Sequence, residues 1–140
     1  MTLTVRVETT AWRAIEANLT PEAADRVVRA TAFDIQADTA RRIQTGPKTG
    51  RIYRRGKRAH QASAPGESPA TDLGALAASY RAKPVRRGIW RVGSPQAYAA
   101  PLEFGDRRGR LKARPHLRPS FAAAKKVMRR RMMAMLGERG

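Results

Sequence analysis

Residues 20–46 read TPEAADRVVRATAFDIQADTARRIQTG. Thr20 offers a hydroxyl at an N-cap position, Pro21 suits the first helical turn, and Glu22 places a carboxylate near the positive end of the helix dipole. Gly46-Pro47 stops the run. The stretch therefore predicts one helix from residue 21 to about residue 45. Ala24, Val28, Ala32, Ile35 and Ile43 share one face, and Ala30, Phe33, Ala37 and Ala40 lie nearly opposite. A helix apolar on two sides is normally covered on two sides. The inner stripe predicts a core face and the outer one a contact with a second copy. Because alanine dominates the outer stripe, plain solvent exposure is the competing reading.

Leu3, Val5 and Val7 alternate with Thr4, Arg6 and Glu8, the pattern of a half-buried strand. Trp12, Ile15 and Leu19 follow at helical spacing and predict a short helix. Residues 46–70 contain Gly46, Pro47, Gly50, Gly56, Pro65, Gly66 and Pro69, with five cations between Arg51 and Arg58. They read as a long flexible arm; Ile52-Tyr53 and Ala59 to Ser63 offer a protruding hairpin instead. Thr71-Asp72 predicts the cap of a short helix ending near Ser79. Tyr80 to Arg86 and Ile89 to Val92 read as strands joined at Arg87-Gly88. Tyr98 to Phe104 predicts a helical turn, residues 107–114 a basic loop, and Pro119 or Ser120 the start of a last helix. Phe121, Ala124, Met128, Met132 and Met135 share one face of that helix. The expected fold is α+β: one domain over residues 1–140, with a long N-terminal and a C-terminal helix packed on a small antiparallel sheet, and a basic loop or hairpin arm.

The chain has no cysteine, which excludes disulfides and thiolate metal sites. No apolar run approaches the roughly 18 residues of a bilayer span, so no membrane partner is expected. The net charge is +18, and its distribution is uneven. Residues 1–46 hold six basic and six acidic residues, so the whole excess falls in residues 47–140. Such a surface calls for a polyanion or an acidic protein beside it.

Catalytic patterns are missing. His60 and His116 lack ligand spacing, and no metal or cofactor is expected. Asp34 and Asp38 are one helical turn apart, but Arg41 and Arg42 follow, which suits a solvated ion-pair face. Gly50 to Lys57 is one residue too long for a phosphate-binding loop, and Arg58 stands where a hydroxyl would bind magnesium. Three basic clusters remain, at 51–58, 107–118 and 125–131, without any pattern of base-reading motifs. Contact with DNA would be to phosphates.

Three groups of segments occur in order over residues 50–121. The first joins Gly50-Arg-Ile-Tyr53, His60-Gln-Ala-Ser-Ala-Pro-Gly-Glu67-Ser-Pro-Ala70 and Thr71-Asp-Leu-Gly-Ala-Leu-Ala-Ala-Ser79. The second joins Val92-Gly-Ser94, Tyr98-Ala99 and Leu102-Glu-Phe-Gly105. The third is Ala113-Arg-Pro-His-Leu-Arg-Pro-Ser-Phe121. Together they resemble the small tail-component, or tail-completion, proteins encoded between the capsid and major tail genes of siphoviruses. Two departures are Asp106, where the family often has threonine, and His116, where an aromatic often follows Arg-Pro.

The resemblance implies a non-enzymatic virion protein of the neck or tail, assembled in the bacterial host cytoplasm. It implies a closed ring, hexameric or dodecameric, that contacts neighbouring neck and tail proteins and lets the genome pass. Phe33, Ala37, Tyr53, Glu67, Tyr98, Glu103, Phe104 and Arg114 are the candidate interface residues. Arg54, Arg55, Lys57, Arg58, Arg107, Arg108 and Arg110 are the candidate DNA-facing ones. The alternative is a nonspecific basic nucleic-acid-binding protein, which has no reason to carry the Ser63 to Glu67 or Tyr98 to Gly105 segments.

Overall fold

The computed structural model describes residues 1–6, 19–70 and 74–137, with backbone alone at residues 5 and 6. The fold is α+β. Helix α1 (Pro21–Thr45) begins where its sequence signal lies: the Thr20 hydroxyl accepts the Ala23 N–H at 3.2 Å. It ends at Gly46, whose N–H donates to the Arg42 carbonyl. Ala24, Val28, Ala32, Ile35 and Ile43 are all buried, so the inner stripe is core.

That stripe packs on a three-stranded antiparallel sheet of order β1-β5-β4, formed by β1 (Thr2–Arg6), β4 (Arg81–Arg86) and β5 (Ile89–Gly93). Trp90 and Val92 of β5 are buried, and Arg91 between them is exposed, as the period of a strand requires. Arg87-Gly88 forms the two-residue turn, with Gly88 at φ 78°. The edge strand β4 carries Pro84 and a bulge at Val85, two features that discourage pairing with a further strand. Two polar side chains of α1 reach the sheet. Gln36 Oε1 accepts the Ala82 N–H at 2.6 Å, and Asp25 Oδ1 accepts from Gly88 N at 2.7 Å and Trp90 Nε1 at 3.3 Å.

The short helices are α2 (Ala75–Ser79) and α3 (Ala99–Phe104). The last helix, α4 (Leu117–Gly137), lies along α1 with Ala124 and Met132 buried and Phe121, Met128 and Met135 against the core. It starts two residues ahead of the Pro119-Ser120 signal, because a carboxylate from α3 supplies its cap. Of residues 46–70, β2 (Ile52–Arg55) and β3 (Arg58–Gln61) pair as an antiparallel hairpin, the second of the two forms the sequence allows. The expected helix at Trp12 and Ile15, the strand end at Glu8 and the Thr71-Asp72 cap lie outside the described residues.

Thr39 lies on the buried face of α1, and its hydroxyl has no hydrogen-bond partner among the described residues. An unpaired buried hydroxyl costs about 1–3 kcal/mol. Thr39→Val keeps the shape and removes the polar atom, so it should raise stability by about 1 kcal/mol in urea unfolding. A loss of that size would mean that the hydroxyl has a partner.

Candidate nucleic-acid and partner interface

Segments far apart in sequence meet at one joint. Glu103, on α3, is fully buried. Its Oε2 accepts the N–H of His116 at 2.8 Å and of Leu117 at 3.0 Å, and its Oε1 accepts Arg118 N at 2.9 Å and Nε at 3.0 Å. Pro119 has no N–H, so this one carboxylate satisfies the open donors at the start of α4. Burial alone would raise its pKa. The hydrogen bonds from the His116 ring and from the three backbone N–H groups overcome that and hold it at about 2. Glu103 is thus an internal cap and not, as the sequence suggested, a surface available to a neighbour.

The His116 ring continues the joint. Its Nδ1 lies 2.8 Å from the Arg114 carbonyl, which can only accept, so Nδ1 carries a proton. In the neutral ring, Nε2 then accepts from the Tyr80 hydroxyl at 2.6 Å. Burial, with the charge of Glu103 behind it, pushes the Tyr80 phenol up. Tyr80, His116 and Glu103 have the order of a proton relay. All three side chains are sealed from solvent, and the arrangement locks the junction of α2 and β4 to α3 and the start of α4.

A second clasp closes the arm. Glu67 accepts from the Thr49 hydroxyl, from Thr49 N at 2.9 Å and from Ala64 N at 2.8 Å. The Thr49 bonds, then the Ala64 bond, hold its carboxyl below the ordinary range. Arg114 Nε donates to Ser63 Oγ at 2.9 Å, Gly66 N–H to the Ala113 carbonyl at 2.9 Å, and Ser68 Oγ to the Pro115 carbonyl at 3.3 Å. Glu67 and Arg114, read as candidate interface residues, are therefore spent within the subunit. Glu67→Ala should speed amide exchange at Thr49 and Ala64 about tenfold and leave α1 unchanged. In the free subunit, residues 52–61 should exchange faster than α1 and gain protection on assembly. Strong protection of 52–61 before assembly would contradict this.

Two cationic loops leave this joint. One is the β2–β3 hairpin, where Arg54, Arg55, Lys57 and Arg58 are all exposed. The other spans Gly105 to Arg114. Asp106 closes it: its N–H donates to the Leu111 carbonyl at 3.0 Å, and its Oδ1 accepts Leu111 N at 2.9 Å. Gly105 sits at φ 81°, with the Leu111 carbonyl 2.9 Å from where a Cβ would be, so the turn demands glycine. Arg107, Arg108 and Arg110 are exposed on that loop. A further basic surface, beyond the three clusters along the sequence, escaped the sequence reading. Strand alternation puts Arg81, Lys83 and Arg91 on the sheet face away from α1, where with Thr2, Val85 and Gln96 they line an open groove of about 840 Å³.

Of the other candidate interface residues, Tyr53, Tyr98 and Phe104 are exposed, as is Ala37. Phe104 lies under the Arg118 guanidinium at 4.7 Å. Phe33 is 43% exposed, and its ring leans on Trp90 at 5.7 Å. Among the described residues, no group of His, Asp and Glu is arranged to hold a metal ion, and no helix is long and apolar enough to cross a membrane. No protein-family pattern, curated protein sequence or solved structure matches this chain.

Proposed function

We propose that the chain is a structural virion protein of the neck or tail of a long-tailed phage, one subunit of a closed ring through which the genome passes. The observation that carries this reading is the joint. The segments that resemble the tail-completion proteins, Ser63 to Ser68, Leu102 to Gly105 and Ala113 to Phe121, bind one another through Arg114, Ser68 and Glu103. Their residues serve to fix backbone and to aim two cationic loops from one place. That is the task of a scaffold that presents surfaces to neighbours. The partners are further copies of the chain, adjoining neck and tail proteins, and duplex DNA met through its phosphates. The site of action is the virion, with assembly in the bacterial host cytoplasm.

Deleting the gene from the phage that carries it should yield filled heads and separate tails in electron micrographs of lysates. Antibody against the chain should mark the head–tail junction of wild-type particles. Joined particles from the deletion strain would refute the reading. A nonspecific nucleic-acid-binding protein would leave particle morphology intact and remain in the soluble lysate.

A further inference from the structure

The β2–β3 hairpin is costly to the free subunit. All four residues of β2 are exposed, and three of the four in β3 are. Arg55 pairs directly opposite Arg58, and like charges facing each other across a ladder oppose it. A lone two-stranded ribbon is marginal in water even without that repulsion. No carboxylate stands in the ribbon, and those elsewhere among the described residues already have partners. Glu22 pairs with Arg87, Asp34 with Arg131, and Asp38 with Arg41 and Arg42. Asp25, Glu67, Glu103 and Asp106 hold backbone N–H groups. Among the described residues, then, every acid of a second copy already has a partner of its own, which favours another kind of molecule as the source of the ribbon's counter-charge.

The arrangement of the cations says which kind. Strand alternation puts Arg54 on one face of the ribbon and Arg55 and Arg58 on the other, with Lys57 in the turn between them. A flat acidic protein surface would meet one face only. A groove walled by phosphates on both sides meets both. The major groove of B-form DNA is about 12 Å wide and admits a two-stranded ribbon. Arginine's planar fork matches phosphate oxygens, and three of the four cations at this tip are arginines. We propose that the 52–61 ribbon enters the major groove of double-stranded DNA and grips the phosphates of both walls, without reading sequence. This deepens the genome-passage part of the proposed function and rests on that reading only for where the duplex is met.

The test uses the full chain and a labelled duplex of mixed sequence, with fluorescence anisotropy over a salt series. Dimethyl sulfate then probes guanine N7, which faces the major groove. The wild type should bind with a steep salt dependence and protect guanine N7. The triple variant Arg54→Ala, Arg55→Ala, Arg58→Ala should retain its circular dichroism spectrum, since these side chains are exposed. Its log–log salt slope should fall by about 3, at roughly 0.9 per lost phosphate contact, and the N7 protection should vanish.

An unchanged slope, or a reduced slope with N7 unprotected in the wild type, overturns the proposal. So does binding to polyglutamate as tight as to the duplex at equal salt, which would assign the ribbon to an acidic protein. The neck reading fails separately: a chain absent from particles that still grips DNA through its ribbon refutes the neck and leaves this inference standing.

Discussion

Glu103→Ala is expected to lower the unfolding free energy by roughly 3–5 kcal/mol, as the loss of a buried, multiply bonded charge does. The substitution strands the N–H groups of His116, Leu117 and Arg118 at the start of α4 and leaves Arg118 without its carboxylate. It also removes the acceptor beside the His116 ring, which is fully buried. Glu103→Gln should fall between the two, because one amide end donates where both carboxylate oxygens now accept. The pH dependence carries a sign. The folded Glu103 sits at about 2, below its ordinary 4.5. Its contribution is therefore complete above pH 4.5 and is lost as pH falls through about 2. The shift corresponds to about 3 kcal/mol. Urea unfolding at neutral pH and near pH 3 measures both effects. The wild type should lose more stability on acidification than Glu103→Ala. A variant within about 0.5 kcal/mol of wild type at neutral pH would show that Glu103 does not hold α4.

The elements whose signals are local were legible in the sequence. Thr20-Pro21 marked the start of α1, Arg87-Gly88 the turn between β4 and β5, and the stripe from Phe121 to Met135 the buried side of α4. The inner face of α1 followed from period alone. What stayed hidden depends on tertiary reach. Glu103 caps a helix 14 residues further on, and Asp25 caps a turn 63 residues away. Neither bond leaves a mark in a local window, where both residues look like ordinary surface acids. The same limit explains Glu67 and Arg114, read as partner-facing and found clasping their own chain. The start of α4 was misplaced for this reason too: Pro119-Ser120 is a fair local cap, but a distant carboxylate provides a better one. The cations needed no such reach. Among the described residues no carboxylate pairs with the tips at 54–58 and 107–110, and those remain exposed.

The second large effect concerns the outer face of α1. Phe33→Asp should leave the subunit folded and block its incorporation into particles. Phe33 is half-exposed, its ring tilted 55° against Trp90, and Arg29 stands 5.8 Å from both rings. Losing that aromatic contact costs about 0.5–1.5 kcal/mol, and an aspartate beside Arg29 offsets part of it. Covering a whole phenylalanine at an interface contributes roughly 1.5–3 kcal/mol. Trp90 already covers part of Phe33, so each contact in the proposed ring would gain on the order of 1 kcal/mol, repeated at every subunit. A carboxylate that must be desolvated there, with Arg29 compensating only in part, reverses the sign at every contact. Ile35→Asp, two residues on and 1% exposed, should instead unfold the subunit, since its carboxylate would enter the core with no counter-charge. Circular dichroism separates the two variants, and complementation of a deletion phage reads the outcome. Phe33→Asp should cut infectious yield by on the order of a thousandfold, with heads and tails unjoined, because repeated interface losses around a closed ring compound. If it unfolds the monomer, Phe33 belongs with Trp90 to the core. If it folds and infectious particles still form, this face of α1 is not the interface of the proposed ring, and the exposed Tyr98 and Phe104 are next to test.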